Sequence, residues 1–158
     1  MSKHLCTVAW ENAESNTFTQ RRYPRRHHWT FDGGAVVTAS SSPHVVPTPY
    51  SDATAVDPEE AFVAALSSCH MLWFLDFAAR AGWVVTQYRD EAIGLMSANE
   101  SGQKVMTDVL LRPRARFAGP CQPNPSELVT LHHEAHQACF LANSVRTLIR
   151  CEPTLDTP

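Results

Sequence analysis

The segment from Asp57 to Gly82 leaves this chain few ways to fold. Asp57 suits a helix N-cap, Pro58 the first helical position, and Glu59 and Glu60 the electropositive first turn. The residues that follow predict a helix to about Arg80, with Gly82 just beyond as its stop. Between Ala61 and Phe77 this helix is apolar almost all round. A helix without a polar face must be enclosed on most sides, by its own domain or by a partner subunit. The apolar stretch carries His70 and Asp76 and is short of a membrane span, so no membrane association is expected.

The remaining elements arrange themselves around that helix. Lys3 to Trp10 alternates loosely and suits an edge strand, and Glu11 to Tyr23 is polar, with Asn12, Ser15 and Asn16 favouring turns. His28 to Phe31 is strand-like and ends at Asp32-Gly33-Gly34, a hairpin signal, with Ala35 to Ala39 as the return strand. Pro43, Pro47 and Pro49 make residues 40–56 an extended loop. After the helix, Trp83 to Met96 and Lys104 to Phe117 read as two long strands joined by a turn at Ser101-Gly102. A second helix, capped by Ser126, runs to about Cys139, and Arg146 to Pro153 forms a last strand. This order is α+β, built on antiparallel sheets, and not the regular alternation of a parallel sheet. With 158 residues and no repeat or linker, residues 1–158 are expected to form a single domain.

Composition narrows the function. A net charge of −3, with both signs mixed along the chain, gives no driving force for polyanions, so nucleic acid is not an expected partner. The N-terminus lacks the apolar region of a secretory signal, and a cytoplasmic location is expected. Five cysteines, an odd number, lie scattered at positions 6, 69, 121, 139 and 151. In a reducing compartment that pattern argues against a disulfide framework and turns attention to individual reactive thiols. Cys69 follows small residues in Ala64-Ala65-Leu66-Ser67-Ser68, which leaves room for another group near its sulfur, and Cys139 ends the second helix between Ala138 and Ala142. A paired-cysteine peroxidase needs an ionised thiol, a cation to hold it, and a second thiol within disulfide reach. The chain offers a thiol in each helix, the cluster Arg21, Arg22, Arg25 and Arg26, and the carboxylates Glu59 and Glu60.

The run Asp57-Pro58-Glu59-Glu60-Ala61-Phe62 through Ser68-Cys69, with Cys139 in a later helix, resembles the osmotically inducible protein C and organic hydroperoxide resistance (OsmC/Ohr) family. The likeness extends to the early Asp-Gly hairpin, the long second hairpin and the final strand. It implies an OsmC-like fold: antiparallel sheets packed around a long buried central helix plus a second helix, in an intertwined homodimer. It also implies reduction of organic hydroperoxides through a cysteine pair that a dithiol reductant restores, without a cofactor or metal. By the resemblance Cys69 is peroxidatic, Cys139 resolving, and Glu59 orients a catalytic arginine. Counting back from Asp32-Gly33 favours Arg25 for that arginine, with Arg22 and Arg26 as rivals. Two features depart from the family pattern. The arginines lie in Arg21-Arg22-Tyr23-Pro24-Arg25-Arg26 where relatives commonly have a Gly-rich turn, and Phe140 follows the second cysteine where many have proline.

Ten residues of helix rise about 15 Å, so Glu59 and Cys69 cannot share one arginine within a single straight helix. The expectation is that Glu59 and its arginine meet Cys69 of the other subunit. Adjacent helix residues diverge by about 100°, so His70 does not face the Cys69 sulfur as a general base would and is expected to serve packing. His132 and His136 stand one turn apart, but His-Glu-x-His is not the zinc-protease motif, and a polar surface face is the plainer reading. Metal binding by that pair, with Cys139 three residues on, is a third possibility. Trp73, Phe74 and Phe77 read mainly as core, with some able to line an apolar pocket. Cys6, Cys121 and Cys151 read as bystanders. The rival to a peroxidase is a non-catalytic dimer that binds an apolar small molecule.

Overall fold

The computed structural model describes residues 1–12 and 17–155, so the turn residues Ser15 and Asn16 fall outside the described residues. The chain divides into two compact units, Met1–Ala61 and Phe62–Pro158.

The first unit holds an antiparallel sheet in the order β1-β2-β3, from strands Cys6–Ala9, His27–Phe31 and Val36–Ala39. The Asp32-Gly33-Gly34 turn joins β2 to β3, closed by a bond from Gly34 N to Phe31 O at 2.9 Å. The proline-bearing loop after β3 contains a cis Thr48–Pro49 bond and returns to bridge Val56 to Ala39. It ends at Asp57, whose side chain accepts from Glu60 N at 2.7 Å while Glu60 Oε2 accepts from Asp57 N at 3.3 Å. This reciprocal box caps helix α1, Pro58–Arg80, which runs unbroken for 23 residues. Gly82, at φ 77°, lets the chain leave the helix, and Trp83 N reaches back to Ala78 O.

The second unit carries two three-stranded sheets and helix α2. The two long strands expected from sequence are each cut in two: β4 (Val84–Asp90), β5 (Ile93–Ala98), β6 (Lys104–Leu111) and β7 (Pro113–Ala118). β4 pairs with β7 and β5 with β6, so one hairpin feeds both sheets. The physical cause lies at the break. Asp90 Oδ1 accepts Arg112 N at 2.7 Å, and the Arg112 guanidinium donates to Glu91 O, so side chains replace ladder bonds there. The last expected strand is likewise two, β8 (Leu148–Cys151) parallel to β6 and β9 (Thr154–Leu155) parallel to β7. The sheets are therefore antiparallel with one parallel edge each. Helix α2, Pro125–Ala138, is capped by Asn124 and not by Ser126, because Asn124 and Glu127 bond reciprocally and Pro125 takes the first helical position.

Along α1 the buried positions are Leu66, His70, Phe74 and Ala78, a single stripe at helical spacing. Phe74 and Ala78 join Leu128, Leu131 and Ala135 of α2 and Ala115 of β7 in one core cluster; Leu66 joins Val109 and Leu111 of β6 in another. Gly94 on β5 permits the close approach of α1, since a Cβ there would lie 2.5 Å from Val63 Cγ2. Ala64, Ala65, Ser68 and Leu72 remain exposed on the opposite face of the helix. With a mean hydropathy of 1.5 over its best window and a length of 23 residues, α1 is long and apolar enough to cross a membrane by length and composition, against the expectation from the Ala61–Phe77 stretch alone. Core helices meet the same test; 22% of that window is buried, and the buried stripe packs one face of α1 into the two core clusters.

Candidate active site

In the first unit a cavity of about 440 Å³ is lined by Arg25, Glu59, Tyr23, Trp10, Phe18 and His27, among others. Trp10, Phe18 and Tyr23 form an aromatic cluster with ring centroids 4.6 to 5.8 Å apart, and Trp10 Nε1 donates to Pro24 O at 2.8 Å. Arg25 is fixed on every side. Its guanidinium lies 3.7 Å above the Tyr23 ring, donates to the carbonyls of Arg21 and Tyr23, and its own N–H donates to Tyr50 O at 2.8 Å. His27 Nδ1–H donates to Arg25 O, and Trp29 Nε1 donates to His27 Nε2, which sets the tautomer. The rivals stand differently. Arg26 is committed to Asp52 at 2.6 Å, and Arg22 is exposed and does not line the cavity. Of the two carboxylates at the start of α1, Glu60 serves the cap and Glu59 lines the cavity.

In the second unit a cavity of about 320 Å³ is lined by Cys69, Leu72, Trp73, Asp76, Arg80 and Phe140. Cys69 is half-buried on α1, and Cys139 is fully buried as the C-cap of α2. Cys69 lies close enough to Cys139 to act on its thiol electrostatically, so the fold brings together two sulfurs seventy positions apart in the chain. Burial pushes the Cys139 thiol up to about 11, and the neighbouring Cys69 pushes the same way. Ala142 N donates to Cys139 Sγ at 3.4 Å and acts in the opposite sense. Small Ala142 thus bears directly on the sulfur.

Several lining residues carry no motif. Phe140, the departure from the family pattern, turns outward and meets Trp73 edge-on at 5.3 Å, so that the two rings wall the cavity. Phe74 goes to the core, while Trp73 serves both core and cavity. Arg80, four residues after Asp76, pairs with it at 2.6 Å. Helical spacing from Cys69 through Leu72, Trp73, Asp76 and Arg80 was the available signal, because i, i+3, i+4 positions share a face.

The surface-face reading of His132 is corrected. His132 is 2% exposed and His70 is 1% exposed, and His70 Nε2 meets His132 Nδ1 at 3.0 Å. Their rings are parallel within 1° with centroids 5.3 Å apart; given the 3.0 Å contact, they meet edge to edge. Desolvation first, then nearby imidazole charge, lowers both from the usual range, His70 to about 4 and His132 to about 3. Cys151, read as a bystander, has its sulfur 3.6 Å from His70 Nε2. The helix face that carries His132 also carries Leu128, Leu131 and Ala135, all buried, and that apolar spacing was the sequence sign that His132 points inward.

Comparison with known proteins places these features in a family. A family model described as OsmC-like protein matches residues 51–154. An OsmC-like protein of unknown function from Vibrio cholerae is 49% identical with a TM-score of 0.95, over 98% of this chain and all of that one. An organic hydroperoxide resistance protein from Elizabethkingia anophelis shares 17% identity at a TM-score of 0.71, over 100% of this chain and 98% of that one. The organic hydroperoxide resistance protein OhrB of Bacillus subtilis shares 16% at a TM-score of 0.65, over 98% of each chain. No curated protein shows a significant sequence match.

Proposed function

Because this chain belongs to the OsmC-like protein family, we propose that it is a thiol peroxidase that reduces an organic hydroperoxide to its alcohol. The observation that carries the reading is the pairing of Cys69 and Cys139, one sulfur at a cavity and the other sealed behind it. Cys69 as thiolate attacks the O–O bond; with one proton taken up, the alcohol leaves and the sulfur becomes a sulfenic acid. The Cys139 thiol then attacks that sulfur, releasing water and closing a disulfide, and an external dithiol returns both thiols while it is itself oxidised. Two relatives of the same fold carry organic hydroperoxide resistance in their names, and the Trp73–Phe140 wall suits an apolar substituent on the peroxide.

Arg25 and Glu59 are the proposed cation and its orienting carboxylate. Glu59 and Cys69 lie on one unbroken helix, about 15 Å of rise apart, so in this proposal Arg25 and Glu59 act across the interface of a homodimer. The exposed stripe Ala64, Ala65, Ser68 and Leu72 on α1 supports a second copy as the cover for that face.

Intact-mass measurement before and after one equivalent of cumene hydroperoxide tests the proposal. The expected result is the loss of two protons per chain in the wild type and no such loss in Cys69→Ser. An unchanged wild-type mass points instead to a non-catalytic dimer that holds an apolar ligand in the aromatic cavity of the first unit, whose lining favours that second reading.

A further inference from the structure

The peroxide chemistry leaves a second polar cluster in the same unit without a task. His70 of α1, His132 of α2 and Cys151 of β8 each present one metal-binding atom, and these atoms lie within 4.8 Å of one another. They come together from positions 62 and 81 residues apart in sequence. Two neutral imidazoles that share one hydrogen bond leave one outer N–H in need of an acceptor in either tautomer, and among the described residues His70 Nδ1 and His132 Nε2 have no partner. An orphan of that kind is destabilising, and an apolar side chain of similar volume would avoid the cost.

We propose that His70, His132 and Cys151 form a binding site for one transition-metal ion of the zinc class, with His70 Nε2, His132 Nδ1 and the Cys151 sulfur as ligands. Imidazole and thiolate are the donors that such ions select, and hard cations such as magnesium and calcium avoid them. Zinc bonds of about 2.05 Å to nitrogen and about 2.3 Å to sulfur set tetrahedral ligands roughly 3.3 Å apart for N···N and roughly 3.5 Å apart for N···S. The two nitrogens stand 3.0 Å apart and His70 Nε2 stands 3.6 Å from the sulfur, with all three atoms within 4.8 Å of one another, so loading draws the His132 nitrogen and the sulfur closer. Without an ion the two lone pairs are reconciled by one shared proton, and modest rotations of the edge-on rings aim both at a common point. On loading, that proton moves to the outer nitrogen of its own ring, and one proton leaves from the Cys151 thiol. The fourth position is open to water.

Among the described residues the outer imidazole nitrogens meet no carboxylate or carbonyl, so the ion is held by its direct bonds and binds less tightly than at a site with a complete outer shell. Its role is structural. It ties together α1, α2 and β8, and the first two carry the thiols of the peroxide cycle. The site stands whether or not the peroxidase reading does.

The test is a cobalt(II) titration of the full chain, reduced and stripped with a chelator. One cobalt per chain is expected, with a sulfur-to-cobalt charge-transfer band in the near ultraviolet and the visible bands of a four-coordinate ion; zinc should displace it. The charge-transfer band should vanish in Cys151→Ser and persist in Cys69→Ser and Cys139→Ser. A wild type with no such band at saturating cobalt overturns the proposal, and that measurement suffices even if Cys151→Ser fails to fold. A band that survives Cys151→Ser, or that is lost with Cys139→Ser, also overturns it.

Discussion

Cys69 and His70 are neighbours in the chain and belong to different worlds in the fold. One step along α1 swings the side chain by about 100°, from a half-open cavity walled by Trp73 and Phe140 to a core position 1% exposed. Each is met by a residue of α2: Cys69 by Cys139 at the helix end, His70 by His132 two turns earlier. The same two helices therefore hold a pair of sulfurs of which one, Cys69, opens to a cavity, and a closed pair of imidazoles. Access separates their chemistry. A thiol beside a cavity can meet a substrate and then a second thiol, whereas groups enclosed on all sides can bind only one another or an ion. The open pair is expected to govern activity with little effect on stability, and the closed cluster the reverse.

That contrast can be broken. The largest effect should come from Cys69→Ser, which is expected to bring peroxide consumption down to the uncatalysed rate while the thermal midpoint stays near the wild-type value. Cys139→Ser should consume one equivalent and stall as a Cys69 sulfenic acid, visible as one added oxygen by mass. An active Cys69→Ser protein ends the account of the open pair. Next in size, Arg25→Met is expected to lower the second-order rate with cumene hydroperoxide by about 10²–10³-fold, the usual loss when a preorganised charge is removed from a developing anion. Arg26→Met should change it little, since that residue is exposed and held by Asp52. Equal losses in the two variants would strip Arg25 of its proposed role.

On the closed side, Phe74→Ala removes a fully buried ring that packs on both His132 and Tyr88. It should cost about 3–5 kcal/mol in urea unfolding, with the folded fraction still oxidised by peroxide. Lost oxidation with full stability would erase the distinction between the two regions. The smallest effect is a pH slope. Because burial holds the Cys139 thiol near 11, it is protonated at neutral pH, and its thiolate fraction grows roughly tenfold per unit as pH rises toward that value. Disulfide closure after oxidation, followed by rapid quench and mass spectrometry, should accelerate with that slope between pH 7 and 10. The sign for stability is opposite. The raised value favours the folded state below the ordinary thiol range, and this contribution is lost as pH climbs through about 11. A flat closure rate would mean that Cys139 does not supply the second sulfur.

Much of the fold was legible from local signals. Asp57-Pro58-Glu59-Glu60 announces α1, and the hairpins at Asp32-Gly33-Gly34 and Ser101-Gly102 fall where turn chemistry puts them. The errors also have local causes. Ser126 looked like a cap because serine often is one, but Asn124, followed by proline and with glutamate three positions on, offers the complete reciprocal box. The cut in the long hairpin was hidden because Asp90 acts on Arg112 from 22 residues away. For the site, residue types pointed to Cys69, Cys139, the carboxylates Glu59 and Glu60 and an arginine cluster, and the family resemblance chose Glu59. Counting back from Asp32-Gly33 favours Arg25 over Arg22 and Arg26, and of the three only Arg25 lines the cavity.

The sequence by itself determined where helices start and stop, where the chain turns, and which side chains could carry thiol chemistry, because each depends on neighbours a few residues apart. Tertiary structure alone decided that Cys69 and Cys139 come to lie near one another, that His132 turns inward to His70, and that Cys151 reaches them from the last strands. Those meetings depend on how α1, α2 and β8 pack, and packing is a property of the whole buried core, not of any window of residues.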